Sequence, residues 1–288
     1  MENVLSAVTW RDYLAVTKPR VVLLHIVTAS AAMVIAAKGL PPISILAAVL
    51  VGGGLVAGAS NVLNCYFDRD IDQIMVRTRN RPLPSGRMST GQALAFGVVL
   101  AFAGVFILDM WTGLAAATLA VGALAYYVLI YTLWLKRQTF WSSIIGSGAG
   151  AFPPLIGWVA VTGRIEVTPF LLFALIVFWT PPHFWPLAMF HRQDYRRAGL
   201  GVIPGRNVAS WIMVFACILI VFSFLLMFSA DMGVLYLIIA SILGALLLVL
   251  SMRLRFKESL QAAKHLYVFS IFYLVVLFGV MIVERLVS

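Results

Sequence analysis

A chain of 288 residues with 62% hydrophobic and only 11% charged side chains cannot be one soluble globular domain, in which about 25% of residues are charged. The net charge of +10 invites a nucleic-acid reading, but the cations recur between apolar stretches instead of forming one patch, so no nucleic-acid partner is expected. The remaining class is an all-α protein embedded in a lipid bilayer.

A spanning helix needs about 20 mainly apolar residues. In chain order the predicted spans are 21–37, 43–65, 93–108, 114–135, 142–161, 168–189, 210–228, 233–252 and 266–283. The first is short and follows Lys18-Pro19-Arg20, as a signal peptide would. No small-residue cleavage site precedes Lys38 and eight spans follow, so it is read as an uncleaved helix. Of the 21 Lys and Arg residues, only Lys38, Arg164 and Arg285 fall outside the N-terminal segment and the loops after spans two, four, six and eight. The positive-inside rule puts that basic side, with the N-terminus, in the cytoplasm, and the C-terminus at Ser288 outside, in a bacterial inner membrane. Cys65 and Cys217 have no metal-ligand spacing and read as packing residues.

The whole chain, 1–288, reads as one polytopic domain without a soluble appendage. Two cytoplasmic connections, 66–92 and 190–209, gather the polar residues that the spans lack. The outer loops 109–113, 162–167 and 229–232 are tight. A central cavity open to the cytoplasmic side, beneath the two long connections, is the expected site of function. Gly52-Gly53-Gly54 and the glycines within 146–150 allow close helix approach.

Span two ends in Asn64-Cys65-Tyr66-Phe67-Asp68-Arg69-Asp70-Ile71-Asp72. If the helix continues, Asn64, Asp68 and Asp72 lie at i, i+4 and i+8 on one stripe, with Asp70 pointing elsewhere. Carboxylates about 6 Å apart along the axis can share Mg²⁺ with a diphosphate, since Mg²⁺ takes one or two carboxylates together with phosphate oxygens. Asn64 adds a neutral oxygen. Acids at the bilayer edge are expensive to keep without a use; the bland reading, a solvated helix end paired with Arg69 and Arg77, suits Asp70. Downstream, Arg77 and Arg81 are positioned to hold the remaining phosphate charge bidentately, while Arg79 and Arg87 stay open. Lys18, Arg20, Lys136 and Arg137, at the cytoplasmic ends of spans one and four, either complete a ring around the same pocket or act as snorkelling anchors.

Span six reads Trp179-Thr180-Pro181-Pro182-His183-Phe184-Trp185-Pro186. Three prolines within six residues are expected to break or kink it where it lines a cavity. His183 then faces that cavity as a substrate-pocket residue, with a histidine that merely caps freed carbonyls as the alternative. Asp194 approaches from the opposite wall as ligand to a second metal ion, beside Tyr195. His191 and His265 read as interfacial, and His25 is undecided.

Together these motifs resemble the intramembrane aromatic prenyltransferase superfamily typified by 4-hydroxybenzoate polyprenyltransferase. Asn64, Asp68 and Asp72 match its Asn-x-x-x-Asp-x-x-x-Asp element, and Arg77-Thr78-Arg79-Asn80-Arg81-Pro82 continues the match. Gly150-Ala151-Phe152-Pro153-Pro154, Trp179–Trp185 and Asp194-Tyr195 look like its haem-farnesylating branch, the haem O synthases. Unlike many members, the chain has no second Asp-x-x-x-Asp: Phe190 and Ala198 flank Asp194 at four residues. The resemblance implies farnesyl diphosphate and haem b as substrates, Mg²⁺ as cofactor, and transfer of the farnesyl group to a haem vinyl with addition of water. Hand-over of product to haem A synthase or a terminal oxidase is left open. A prenyltransferase acting on a quinone precursor, a transporter and a haem-binding assembly factor are the competing readings; an odd span count and acids at one mouth speak against the transporter.

Overall fold

In the computed structural model, residues 8–202 and 205–287 are described, apart from the Arg206 side chain; Ser288, expected on the outer side, lies outside this set. A short helix α1 (Trp10–Thr17) precedes the first span, α2 (Pro19–Ala37). Then follow α3 (Ile43–Phe67), the short α4 (Arg69–Ile74), α5 (Thr90–Thr112), α6 (Leu114–Arg137), α7 (Ser142–Thr162) and α8 (Val167–Phe190). The short α9 (Arg192–Arg197) leads to α10 (Val208–Ser229), α11 (Val234–Lys257) and α12 (Leu260–Val287). Among the described residues, nine helices are long and apolar enough to cross a membrane, and the chain is all-helical.

The bundle is held by helix pairs that close on themselves: α2 packs on α7, α3 on α5, α7 on α8, α8 on α10 and α12, and α12 returns to α2. The outward faces stay apolar, as at Val99, Phe102 and Phe106 of α5, because lipid and not water is their solvent. Small residues let the backbones meet. A Cβ on Gly104 of α5 would lie 2.6 Å from the Gly52 carbonyl oxygen of α3, and one on Gly157 of α7 would lie 2.6 Å from the Ala29 oxygen of α2.

The helices outrun the predicted spans, most at the start of α12, since a helix can extend past the hydrocarbon into the interface. Residues 109–112, expected in an outer loop, complete α5, which ends at Gly113 with φ +81°. A Ser89–Gln92 capping box starts the same helix. The expected break in span six is corrected: α8 runs uninterrupted through Pro181, Pro182 and Pro186. Neighbouring helices can support such a segment in a membrane, and α7, α10 and α12 all pack against α8. Two spans contain π-helical stretches, Val49–Gly53 in α3 and Tyr126–Trp134 in α6. The second carries functional consequences described below.

Gly104→Ala should lower stability by about 1–3 kcal/mol through overpacking, read as a drop in the unfolding midpoint in detergent. Gly122→Ala, with nothing within 4 Å of its added Cβ, should stay within ~1 kcal/mol of the parent. Equal shifts for the two would contradict the close α3–α5 contact.

Candidate active site

α3 ends at Asp68, whose φ of −91° and ψ of 6° leave the helical region. The backbone bonds nevertheless keep helical spacing: the Asp68 N–H donates to the Asn64 oxygen at 2.9 Å and the Asp72 N–H to the Asp68 oxygen at 2.8 Å. The stripe therefore survives the small interruption. Asp68 and Asp72 are 1% and 4% exposed, whereas the Asp70 side chain is 59% exposed.

The buried acids are neutralised by cations from other elements. Lys136, at the end of α6, forms an ion pair with Asp68 Oδ2. Asn64 Nδ2 donates to the same oxygen at 2.6 Å and to Thr132 Oγ1 at 3.2 Å, and Lys18 Nζ donates to Asn64 Oδ1 at 2.9 Å. Asp68 Oδ1 is buried without a partner among the described residues. Lys18 reaches this position from a left-handed backbone, φ 53°, a conformation costly for a non-glycine residue. Burial pushes its ammonium pKa down, and the nearby Arg81 and Lys136 push the same way. Arg81 Nη1 donates to Asp72 Oδ2 at 2.8 Å.

The π stretch of α6 makes this assembly possible. The Thr132 hydroxyl donates to the Tyr127 carbonyl, five residues back, at 2.9 Å, and accepts from Asn64. The following turn sends adjacent cations to different acids: Lys136 to Asp68, and Arg137 to Asp70 through two bonds of 2.8 Å. Those bonds hold the Asp70 carboxyl below its usual pKa range. Asp70 was expected to pair with Arg69 or Arg77; Arg69 instead donates to the Tyr66 carbonyl. Arg137 is thus drawn to the exposed acid and away from the buried cluster.

The two long connections meet at Arg77. Its backbone N–H donates to Asp194 Oδ2 at 3.2 Å and its Nη2 to the Tyr195 hydroxyl at 3.4 Å. Both Asp194 and Tyr195, on α9, are buried. Arg87 Nε donates to Asp12 Oδ1 at 3.0 Å, latching the turns of 75–89 onto α1. Among the described residues no three His, Cys, Asp or Glu side chains form a metal-ligand set by themselves. Asn64, Asp68 and Asp72 offer oxygen donors only. With the free Oδ1 of Asp68, they fit Mg²⁺ whose remaining ligands are phosphate oxygens and water.

Beside the cluster lies a cavity of about 850 Å³. Asn61, one turn before Asn64, and Tyr131, next to Thr132, line it, so the charged cluster marks one end. Its walls are mostly apolar and include Phe152, Trp179 and Phe184; Arg20 reaches its rim from the exposed side of α2. His25 and His183 both border it. His183 Nδ1 lies 2.9 Å from the Ser270 hydroxyl of α12, so its recorded hydrogen bond goes to a side chain and not to a carbonyl freed by the prolines. Asn61, whose Nδ2 donates to the Thr17 carbonyl at 3.0 Å, Thr132 and Ser270 were not singled out from the sequence. Their one signal was a polar side chain at membrane depth. Cys65 is buried and Cys217 exposed, and neither belongs to a metal-ligand group among the described residues.

The fold defines the class first. The solved structure that accompanies work on digeranylgeranylglyceryl phosphate synthase superposes with a TM-score of 0.80 at 19% identity, covering 96% of this chain and 99% of that one. A UbiA homologue from Archaeoglobus fulgidus bound to GPP and Mg²⁺ gives 0.64 at 14% identity, covering 94% and 99%. The description of the UbiA prenyltransferase family matches residues 25–277, and the chain belongs to that family. Within it, the chain is 45% identical to a protoheme IX farnesyltransferase of Thermus thermophilus, over 97% of this chain and 46% of that protein. It is 42% identical to the protoheme IX farnesyltransferase of Symbiobacterium thermophilum, over 95% and 94%. The chain therefore spans about half the length of the Thermus relative and nearly all of the Symbiobacterium one.

Lys136→Met should destabilise the protein by about 3–5 kcal/mol, because it strands the Asp68 carboxylate in a buried site. Adding Asp68→Asn should recover most of that loss, measured as unfolding midpoints in one detergent. Simply additive losses would show that the two side chains do not depend on each other.

Proposed function

We propose that this chain transfers the farnesyl group of farnesyl diphosphate to a vinyl group of haem b, with addition of water, giving haem O and diphosphate. The observation that carries the reading is the buried Asp68 Oδ1, without a partner among the described residues, within a cation-rich cluster at one end of a large apolar cavity. The haem acceptor is supported by full-length similarity to the Symbiobacterium protein of that name and by the Trp179–Trp185 segment on the cavity wall. The whole chain acts as one domain, with the cluster on the cytoplasmic side of a bacterial inner membrane.

Asn64, Asp68 and Asp72 would hold Mg²⁺, with Asp194 available from the second connection. The metal, when bound, neutralises the diphosphate and stabilises it as a leaving group. Lys136 and Arg81, now paired with Asp68 and Asp72, are then free to turn their donors to phosphate oxygens. Lys18 and Arg77 add charge from the other two sides, and Tyr195 holds Arg77. Arg137, bound to Asp70, serves the outer edge of the site.

Cleavage of the allylic C–O bond leaves its electron pair on diphosphate and a farnesyl cation in the cavity. Tyr127, Tyr131 and Phe152 offer π faces to that cation, and the apolar walls exclude water from it. The terminal vinyl carbon of haem forms the new C–C bond, leaving a cation on the carbon next to the porphyrin ring. Water adds there and loses a proton, giving the hydroxyethylfarnesyl group. Arg20, at the exposed rim, is suited to a haem propionate, and His183 to the porphyrin within.

Purified protein given haem b, farnesyl diphosphate and Mg²⁺ should yield haem O by chromatography; unchanged haem would contradict the reading, and a prenylated quinone precursor would redirect it. Asp68→Asn and Asp72→Asn should each lower turnover at least ~100-fold, since stabilising the departing charge is a leading catalytic contribution, while Asp70→Asn should be mild. Equal losses at all three would remove the distinction between buried and exposed acids. Reporter fusions should find the 66–92 connection in the cytoplasm and the C-terminus outside; a cytoplasmic C-terminus would overturn the orientation.

A further inference from the structure

His183 is held on three sides. Its ring stacks on Trp179, centroids 4.3 Å apart at 15°, and on Tyr267 of α12, 4.9 Å apart at 30°. Its Nδ1 meets the Ser270 hydroxyl at 2.9 Å. Trp179 is fixed by the same turn of α12, because its Nε1 donates to the Ser270 carbonyl at 2.7 Å. The ring therefore has little freedom to rotate, and one atom remains uncommitted. Nε2 has no protein partner among the described residues, and it is not among the buried unsatisfied atoms, so it borders open space in a residue lining the cavity.

Ser270 decides what that nitrogen carries. A serine hydroxyl has one proton to give. The Ser270 hydroxyl donates to the Tyr267 carbonyl at 2.7 Å. The bond to His183 must then run the other way, with Nδ1–H donating to Ser270 Oγ. That tautomer leaves the lone pair on Nε2. A neutral imidazole whose second nitrogen donates to a protein oxygen is the usual arrangement of a metal-ligating histidine.

We infer that Ser270 locks His183 in the Nδ1–H form so that Nε2 binds the iron of the haem substrate in the cavity. His183 is the iron ligand and Ser270 a positioning residue that acts through it. The inference rests on the haem-acceptor reading proposed above. It adds the atom that grips the substrate and the reason that atom is basic. Iron ligation would fix the porphyrin plane relative to α8 and so decide which vinyl group faces the charged end of the cavity. His25, the other cavity histidine, has no side-chain hydrogen bond among the described residues, so nothing fixes its ring in the same way.

The test uses the full chain in lipid nanodiscs, titrated with haem b without farnesyl diphosphate. Absorbance and resonance Raman spectra report iron ligation, and metal-free protoporphyrin IX serves as a probe of the pocket alone. The parent should show an iron–imidazole signature and prefer haem to the metal-free ring. His183→Ala should lose both, and added imidazole should restore the signature. Ser270→Ala should weaken haem binding by roughly 10–100-fold, as expected for loss of an outer partner of a metal ligand. It should also shift the iron–histidine stretch while leaving the affinity for metal-free protoporphyrin unchanged. Ser270→Thr, which keeps the hydroxyl, should behave as the parent. A signature that persists in His183→Ala, or an unshifted stretch in a Ser270→Ala protein that still binds the metal-free ring, would overturn the inference while leaving the haem-acceptor reading intact. A parent that binds no haem at all would overturn both.

Discussion

An ionised carboxylate removed from water needs a cation and hydrogen-bond donors beside it, because the desolvation cost otherwise exceeds what a fold can absorb. Asp68 is the point at which this protein meets that requirement. Its side chain is 2% exposed, at the end of a membrane-spanning helix, and two other elements converge on it. α6 brings Lys136 directly and, from its π stretch, Thr132 through Asn64, and the turn between α1 and α2 brings Lys18 through the same Asn64. Lys18 occupies a left-handed backbone conformation to be there. Among the described residues the compensation is incomplete at one atom of this carboxylate, Oδ1, and that atom is where an added ligand gains most.

The same constraint divides the molecule into a charged end and an apolar interior. Arg81, Asp72, Arg77 and Asp194 extend the charged end across both long connections, and the cavity begins one turn deeper, at Asn61 and Tyr131. In the proposed reaction the division separates tasks. Charge is stabilised where the diphosphate leaves, and water is kept out where the allylic cation forms. Several polar groups of the cavity wall have defined partners, among them Asn61 bonded to the Thr17 carbonyl. His183, tied to Ser270 and stacked on both faces, is the clearest case.

The span positions were legible in the sequence because bilayer thickness alone sets a length and a composition, with no need to know what packs on what. The helix ends were less so: nothing in hydropathy marks where a helix stops once it has left the hydrocarbon, as at the start of α12. The separation of Asp68 and Asp72 from Asp70 followed from helical spacing and survived the interruption at Asp68 because the backbone bonds kept their register. Lys136 and Arg137 could not be told apart, since their different targets depend on the π register of the preceding turn, which no residue pattern announces. The prolines of α8 pointed to a break because the loss of N–H groups is visible locally, whereas the support from the packed neighbours is tertiary. Thr132 and Ser270 were missed for a related reason: a hydroxyl in a span is usually bonded to its own helix, and only the fold reveals a second partner.

The account stands on the claim that the carboxylates at the end of α3 bind a diphosphate through a divalent metal. Calorimetric titration of the purified chain with a non-hydrolysable thiolo analogue of farnesyl diphosphate tests this directly, with Mg²⁺ and with chelator. The account predicts tight binding only with Mg²⁺, and loss of that metal dependence in Asp68→Asn. Equal affinity of the parent for the analogue in the presence of Mg²⁺ and of chelator would contradict it.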